Sequence, residues 1–309
     1  MSDRLIGVDV GGTKISVAVL EGTTLHEPRI RRTDTSDGVH LLDQLVEAIQ
    51  EAGDARAVGV AVPSVVDFAT GRVRASVNVP LADIALRDVL RERLGIPVVV
   101  DNDATCAALA EAYDDDGALV ARHLVMFTIG TGVGGGIVID GRVYRGATGA
   151  AAELGHTIVG ADLRATPFAH DDGRFPQPGS LESLAAGREL SALGHEHGLP
   201  DGTTVQAARD GHPGACAAID LLGRRLGIGI ANAINTFDPD LVVVGGGVSA
   251  AGEMLLGPAR EEAARFVLHG VGTATQIRQA RYGPRAGVRG AALLAGQEAL
   301  HPHAAGALR

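Results

Sequence analysis

Short apolar runs, rich in valine and isoleucine and stopped by glycine, proline or polar residues, punctuate this chain. They alternate with longer segments whose apolar positions recur three and four apart, the mark of a helix with one buried face. Leu5 to Val10 and Ile15 to Leu20 read as strands joined by the tight turn Gly11-Gly12-Thr13-Lys14, a hairpin. Val39 to Gln50 reads as an amphipathic helix, and Ala57 to Val62 as a strand ending at Pro63-Ser64. A polar stretch to Asn78 precedes a helix expected from about Leu81 to Leu94. A strand over 97–100 then stops at Asp101-Asn102-Asp103, and a helical pattern starts at Ala104. A hairpin followed by alternating helices and strands predicts a mixed sheet flanked by helices.

The opening pattern returns at His123 to Gly141. Leu124 to Ile129 is a strand, Gly130-Thr131-Gly132-Val133-Gly134-Gly135-Gly136 the turn, and Ile137 to Ile139 a second strand. Gly130 and Gly141 are spaced as Gly11 and Gly22 are, which points to an internal repeat of a domain-sized unit. Beyond it come Glu153-Leu-Gly-His156, a loop from Gly160 to Pro178, and a helix entered at Gly179-Ser-Leu-Glu182 that runs to about Leu193. A second loop, Pro200 to Gly214, precedes a long helix from Cys216 to Phe237. Asp240 to Val244 reads as a strand ending in the turn Gly245-Gly246-Gly247 before a helix. Val271 to Ala280 is a weaker strand, and Gly290 to Leu300 a final helix.

At 309 residues the chain has room for two domains. With 46% hydrophobic but 3% aromatic residues and no Trp, its cores must be built from Val, Leu, Ile and Ala. A net charge of −10 argues against a general binder of nucleic acid or anionic membranes. A phosphate-bearing ligand would therefore have to be held by local backbone N–H groups and a metal. Cys106 and Cys216 stand alone, so neither a disulfide framework nor a cysteine zinc site is indicated. No apolar signal region precedes Leu5, and the longest uncharged stretch, His123 to Ile139, is too rich in glycine for a membrane span. The expectation is a soluble, cytoplasmic chain.

The candidate chemistry gathers where elements meet. Asn102 and Asp103 stand where a strand hands over to a helix N-terminus, the usual ligand-binding edge of an open α/β sheet. Locally, a helix cap and a catalytic carboxylate are both open readings. The turn at Gly11-Gly12-Thr13-Lys14 leaves successive N–H groups open to an anion, with Lys14 beside them and Asp9 placed to hold a metal directly or through water. Gly130-x-Gly132-x-x-Gly135 matches a dinucleotide fingerprint, but that motif needs strand, turn, then helix, and here a strand follows. The Rossmann reading is rejected, and Gly12-Thr13-Lys14 lacks the upstream glycine and following Ser/Thr of a Walker A loop.

Taken in order, these motifs resemble the ROK family of sugar kinases, in the hexokinase/actin-like superfamily, from Gly7 to about Leu300. Asp9-Val-Gly-Gly-Thr-Lys14 is similar to the family's first phosphate motif and Gly130 to Gly136 to its second. Asn235-Thr-Phe-Asp-Pro239 with Val244 to Ser249 is similar to its adenosine-side segment. The resemblance implies an α/β, two-domain actin-like ATPase (ribonuclease H-like) fold, with mixed sheets flanked by helices and the active site in the interdomain cleft. The domains expected are 1–120, with the C-terminal helix at about 288–301 packing back on it, and 121–287. ATP would contact Asp9, Gly11, Gly12, Thr13 and Lys14, then Gly130, Thr131, Gly132 and Gly134, and Gly245, Gly246 and Gly247. Asp9 would hold Mg2+. Asp103 would be the general base for the sugar 6-hydroxyl, and Ser64, Asn78, Asn102, Glu153, His156 and Glu182 would join it in binding the sugar.

One segment departs from the family pattern. ROK proteins usually carry three cysteines after the histidine, holding a structural zinc. Here no cysteine lies between Cys106 and Cys216, and Ser180 stands where the last would be. His156 alone cannot make a tetrahedral site, and His170-Asp171-Asp172 reads as a solvated acidic loop, so no structural zinc is expected. Pro63-Ser64-Val65 also lacks the glycine usual after that proline. The resulting expectation is an ATP-dependent hexose kinase, with glucose first among its substrates. Kinases for an amino or N-acyl hexose such as kanosamine or N-acetylmannosamine are the alternative, followed by a non-catalytic sugar-binding relative. A ROK repressor would need a helix-turn-helix ahead of the first phosphate motif, which begins by residue 9. A homodimer is expected by resemblance.

Overall fold

The structure is a computed structural model that describes residues 4–76, 78–160 and 172–300. Its contacts divide the chain into two compact units. The first holds residues 1–120, 136–152 and 284–309, and the second 121–135 and 153–283. The units share the expected division at 120/121, while 136–152 and 284–287 group with the first unit.

The N-terminal run begins with β1 (Arg4–Val10) and β2 (Lys14–Glu21), paired antiparallel through Val10 and Ile15 as the hairpin pattern predicts. Two short strands missed by the sequence pattern follow, β3 (Thr24–Leu25) and β4 (Arg29–Arg32), both on β2. Then come α1 (Gly38–Glu51), β5 (Ala57–Val62), β6 (Ser64–Asp67) and β7 (Arg72–Ser76). The last two form a hairpin where only a polar stretch was expected. α2 spans Leu86–Leu94, five residues shorter at its start than predicted. The backbone of Asp83 and Ile84 hydrogen-bonds to Val73 instead, and Asp83 has a left-handed φ of 62°, so the helix cannot start ahead of Ala85. β8 (Val98–Asn102) and α3 (Asp103–Ala112) complete this stretch. The six-stranded sheet runs β3-β2-β1-β5-β8 with β4 also on β2; β1, β5 and β8 are parallel, so the sheet is mixed.

Farther along lie β9 (Leu124–Ile129), β10 (Val133–Ile139) and β11 (Arg142–Val143). β10 starts at Val133, so the second glycine turn is shorter than predicted and Gly134 to Gly136 are strand residues. Helices α4 (Leu181–Ala185), α5 (Gly187–His195), α6 (Thr204–Arg209) and α7 (Pro213–Phe237) follow. The single helix expected to run from Glu182 to Leu193 is broken at Ala186, and α6 occupies the expected second loop. β12 (Leu241–Gly245), α8 (Glu253–Phe266), β13 (Gln276–Gln279) and α9 (Ala286–Leu294) follow, α9 running on into a π-helical turn over Ala295–Ala299. The five-stranded sheet has the order β11-β10-β9-β12-β13, with β9, β12 and β13 parallel.

Within the first unit, valine, isoleucine and leucine from β1, β2, β5, β8, α1 and α2 form one buried cluster. α9 covers the other face of this sheet. It lies so close that a Cβ on Gly59 would overlap the Ala291 carbonyl, and one on Gly290 would overlap the Cys106 carbonyl of α3. α3 is buried almost all round, which fits its Ala-rich, uniformly apolar sequence.

Candidate active site

In the first unit, β1, β2, β8 and α3 bring four of the predicted groups to the carboxyl ends of the parallel strands. The turn after β1 is closed by the Gly11 N–H donating to the Lys14 carbonyl at 2.8 Å. β4 braces it: the Thr33 N–H donates to the Thr13 carbonyl and its hydroxyl to the Gly11 carbonyl, at 3.0 and 2.6 Å. Gly12 lies against the Asn78 carbonyl, where an added Cβ would sit 3.1 Å from the oxygen. Asn78 itself is exposed and lines a cavity of about 500 Å³ with Thr35, Ser76, Val79, Pro80 and Ala82.

Asp9 closes β1 with its carboxylate against the Gly287 backbone, 2.6 Å from where a Cβ would be. Burial pushes its carboxyl up from 3.8 to about 7, the charge of Asp103 adds to the rise, and Lys14 opposes it. Asp103 is therefore near enough for its charge to reach Asp9. A carboxylate held at this cost, beside N–H groups that suit phosphate, is the donor set a divalent cation takes when phosphate oxygens and water complete its shell. The residues present fit Mg2+.

At the end of β8 the local readings combine. Asn102 is the N-cap of α3, its side-chain oxygen accepting the Thr105 N–H at 3.1 Å, while its amide donates to the Ser64 carbonyl at 3.4 Å. Asp103 is the first residue of the helix and accepts the Ala104 N–H at 2.8 Å. The cap is thus Asn102, and Asp103 follows it as the first helical residue. Ser64 is buried, and its hydroxyl donates to Ser76 at 2.9 Å, within an internal chain that ends on the Val79 carbonyl.

Asp101, one residue before the pair, is only 1% exposed. It accepts from Arg145 Nε at 2.7 Å and from the Asn102 N–H at 2.9 Å. Burial raises its carboxyl while Arg145 opposes the rise. No role for Asp101 or Arg145 was read from the sequence, because partners 44 residues apart leave no local pattern.

In the second unit, Glu182 turns out to be a brace for the second glycine turn. Its Oε2 accepts the Val133 N–H at 2.8 Å, Gly132 packs directly on it, and Arg188 pairs with Oε1 at 3.0 Å. The Gly187 N–H donates to the Gly130 carbonyl at 2.7 Å, so the α4–α5 break grips the same turn. Gly130 donates to the Gly132 carbonyl, and Thr131 at the tip is exposed. Gly134 lies in β10, beyond the turn.

Glu153 precedes and His156 ends a single 3-10 turn (Leu154–His156) seated on β10, with Gly155 packed on the Val133 carbonyl. The Glu153 carboxylate is exposed and 3.9 Å from His156 Nε2. His156 Nδ1 is buried without a hydrogen-bond partner among the described residues, and its ring meets Phe175 edge-on at 5.2 Å. Ser180, at the position of the absent cysteine, caps α4 through the Ser183 N–H. His170 and Asp171 lie outside the described residues. Among those described, no group of three or more His, Cys, Asp or Glu is placed to hold a metal. Gly245 ends β12, and Gly246 (φ 83°) and Gly247 turn into the short 3-10 segment before α8. Among the described residues no helix is long and apolar enough to cross a membrane.

Comparison with known proteins adds independent findings. The family model for ROK proteins matches residues 5–298. A glucokinase of Halalkalibacterium halodurans is 32% identical, over 96% of this chain and 97% of its own. A ROK family glucokinase from Streptomyces griseus, solved in complex with glucose and AMPPNP, is 31% identical with a TM-score of 0.76, covering 95% of this chain and 99% of that one. A ROK hexokinase from Thermus thermophilus is 34% identical with a TM-score of 0.79, covering 96% and 99%.

Proposed function

This chain belongs to the ROK family and has its actin-like ATPase fold, and we propose that it is an ATP-dependent hexose kinase acting on the 6-hydroxyl of glucose. The observation that carries this reading is the pairing of Asp9 with Asp103 in one unit. A carboxylate suited to a metal and a carboxylate suited to a base lie within electrostatic reach, beside a turn of phosphate-binding N–H groups. Full-length glucokinase relatives at about a third identity support it.

In the proposed reaction Asp103 accepts the proton of the 6-hydroxyl as that oxygen attacks the γ-phosphorus, and the bond from that phosphorus to the β–γ bridging oxygen breaks with ADP as the leaving group. Asn102, fixed by its cap and by the Ser64 carbonyl, orients a neighbouring hydroxyl. Lys14 and the N–H groups of residues 11–14 take phosphate oxygens, and a phosphate-binding role is also assigned to the turn from Gly130 to Gly132. Mg2+, held by Asp9 directly or through water, would neutralise charge on the phosphates. Glu153 and His156 are assigned to the sugar. Glu182 is assigned first to shaping the second turn, since Val133 and Arg188 already engage both its oxygens. The proposal extends to two domains, each with one glycine-rich hairpin, and to a cytoplasmic homodimer.

The missing zinc cysteines favour one alternative, an amino or N-acyl hexose substrate, because the segment from His156 to Ser180 frames the sugar in the family. Purified protein with Mg-ATP should phosphorylate glucose ahead of kanosamine and N-acetylmannosamine. If no sugar in a broad hexose and aminohexose panel is turned over, the kinase reading fails. Asp103→Ala should lower kcat by about 10²- to 10⁴-fold while sugar binding by calorimetry persists, and near-normal turnover would remove Asp103 as the base.

A further inference from the structure

We propose that Arg145 is a positioning residue for the Asn102–Asp103 pair, acting through buried Asp101. The inference rests on the kinase reading of that pair. Arg145 is mostly buried, with 16% of its side chain exposed, and its guanidinium meets three separate segments of the first unit. Nε donates to Asp101 Oδ2 at 2.7 Å, Nη1 to Glu298 beyond α9 at 3.3 Å, and the planar group lies 3.5 Å over the Phe68 ring just past β6. A planar, permanently charged fork can do all three at once, and a flexible ammonium cannot.

The chain of contacts leads straight to the site. Asp101 Oδ1 accepts the Asn102 N–H, and the Asn102 side chain caps α3 and reaches the Ser64 carbonyl. Asp103 is the next residue. Without Arg145, Asp101 would be a lone carboxylate with almost no water, and it would take up a proton or turn outward. Either change alters what holds the Asn102 N–H and so tilts the first turn of α3. The cap keeps the helix in place, and the ion pair sets the direction in which Asp103 points.

A structural ion pair alone would also destabilise the fold when broken, so the test separates stability from turnover. Arg145→Met, Asp101→Asn and the double variant are compared with the parent by thermal melting, sugar calorimetry and steady-state kinetics at saturating Mg-ATP. Removing Arg145 alone strands a buried charge and lowers the melting temperature; removing both charges restores it toward the parent value. The double variant should still turn over about 10- to 100-fold more slowly, with sugar affinity changed far less, because a misdirected base costs rate. A double variant that melts like the parent and turns over within about twofold of it overturns the proposal.

If the double variant does not fold, Arg145→Ala with millimolar guanidinium decides. Restored turnover supports the proposal, and no response to the added cation overturns it. Arg145→Lys should recover only part of the rate, since it keeps the charge without the fork. A parent protein that phosphorylates no sugar refutes the kinase reading and this role with it. An active parent matched by the double variant refutes this role alone.

Discussion

Replacing Asp9 by Asn should make the ligand-free protein more stable at pH 8 while it destroys turnover. The folded carboxyl is raised from 3.8 to about 7, and each tenfold change in proton affinity corresponds to about 1.4 kcal/mol, so keeping Asp9 ionised in the fold costs on the order of 4 kcal/mol. Asp9 is only partly screened from solvent, which makes that figure a ceiling. The sign follows from proton binding. Between pH 3.8 and about 7 the folded state holds a proton that the unfolded state releases, so this group's contribution is full below 3.8 and is lost as pH rises through 7. An amide of the same shape carries no such penalty. In chelator at pH 8, Asp9→Asn should therefore unfold several degrees above the parent, and the advantage should vanish at pH 4. Mg-ATP should raise the parent's melting temperature and do little for the variant. Parallel melting curves for the two proteins from pH 4 to 8 would refute the account of a strained, metal-suited carboxylate.

Gly59→Ala should cost about 3 kcal/mol or more, measured by chemical denaturation, because its Cβ has no space beside the Ala291 carbonyl of α9; a loss below about 1 kcal/mol would show that α9 lifts easily from the sheet. Ala152 holds a left-handed φ of 71°, so Ala152→Gly should stabilise the protein by roughly 0.5–1 kcal/mol in the same assay. Glu182→Ala strands the Val133 N–H and should raise the KM for ATP several-fold, with a stability loss of about 1–3 kcal/mol. Metal analysis of protein purified without added zinc should find well under one zinc per chain, and a zinc chelator should leave the Mg-supported rate unchanged.

The chain's alternation of apolar runs and polar stops was enough to expose the β1–β2 hairpin, the return of the pattern at β9 and β10, and the strand-to-helix junction at Asn102-Asp103. Those features depend on side-chain periodicity and on glycine at turns, which act over a few residues and are therefore written locally. Residue order alone also made the two glycine-rich turns visible, because a turn of contiguous backbone N–H groups is written in contiguous residues. The β6–β7 hairpin was hidden because its strands are polar on one face, and the late start of α2 because Asp83 and Ile84 bond to Val73 of β7 rather than along their own helix.

Tertiary structure decided the rest. It made Asn102 the cap of α3 with Asp103 as the first helical residue, and it turned Glu182 toward the second glycine turn. It also buried Asp101 and supplied Arg145 from a distant segment to neutralise it. The physical reason is common to all three. A charge reveals its role only through what surrounds it, and burial, a missing hydrogen-bond donor or a neighbouring carboxylate comes from residues that the sequence places far away. The sequence placed Asp9 at the end of a strand beside a glycine turn and Asp103 at a helix start; that the charge of Asp103 reaches Asp9 is a property of the fold.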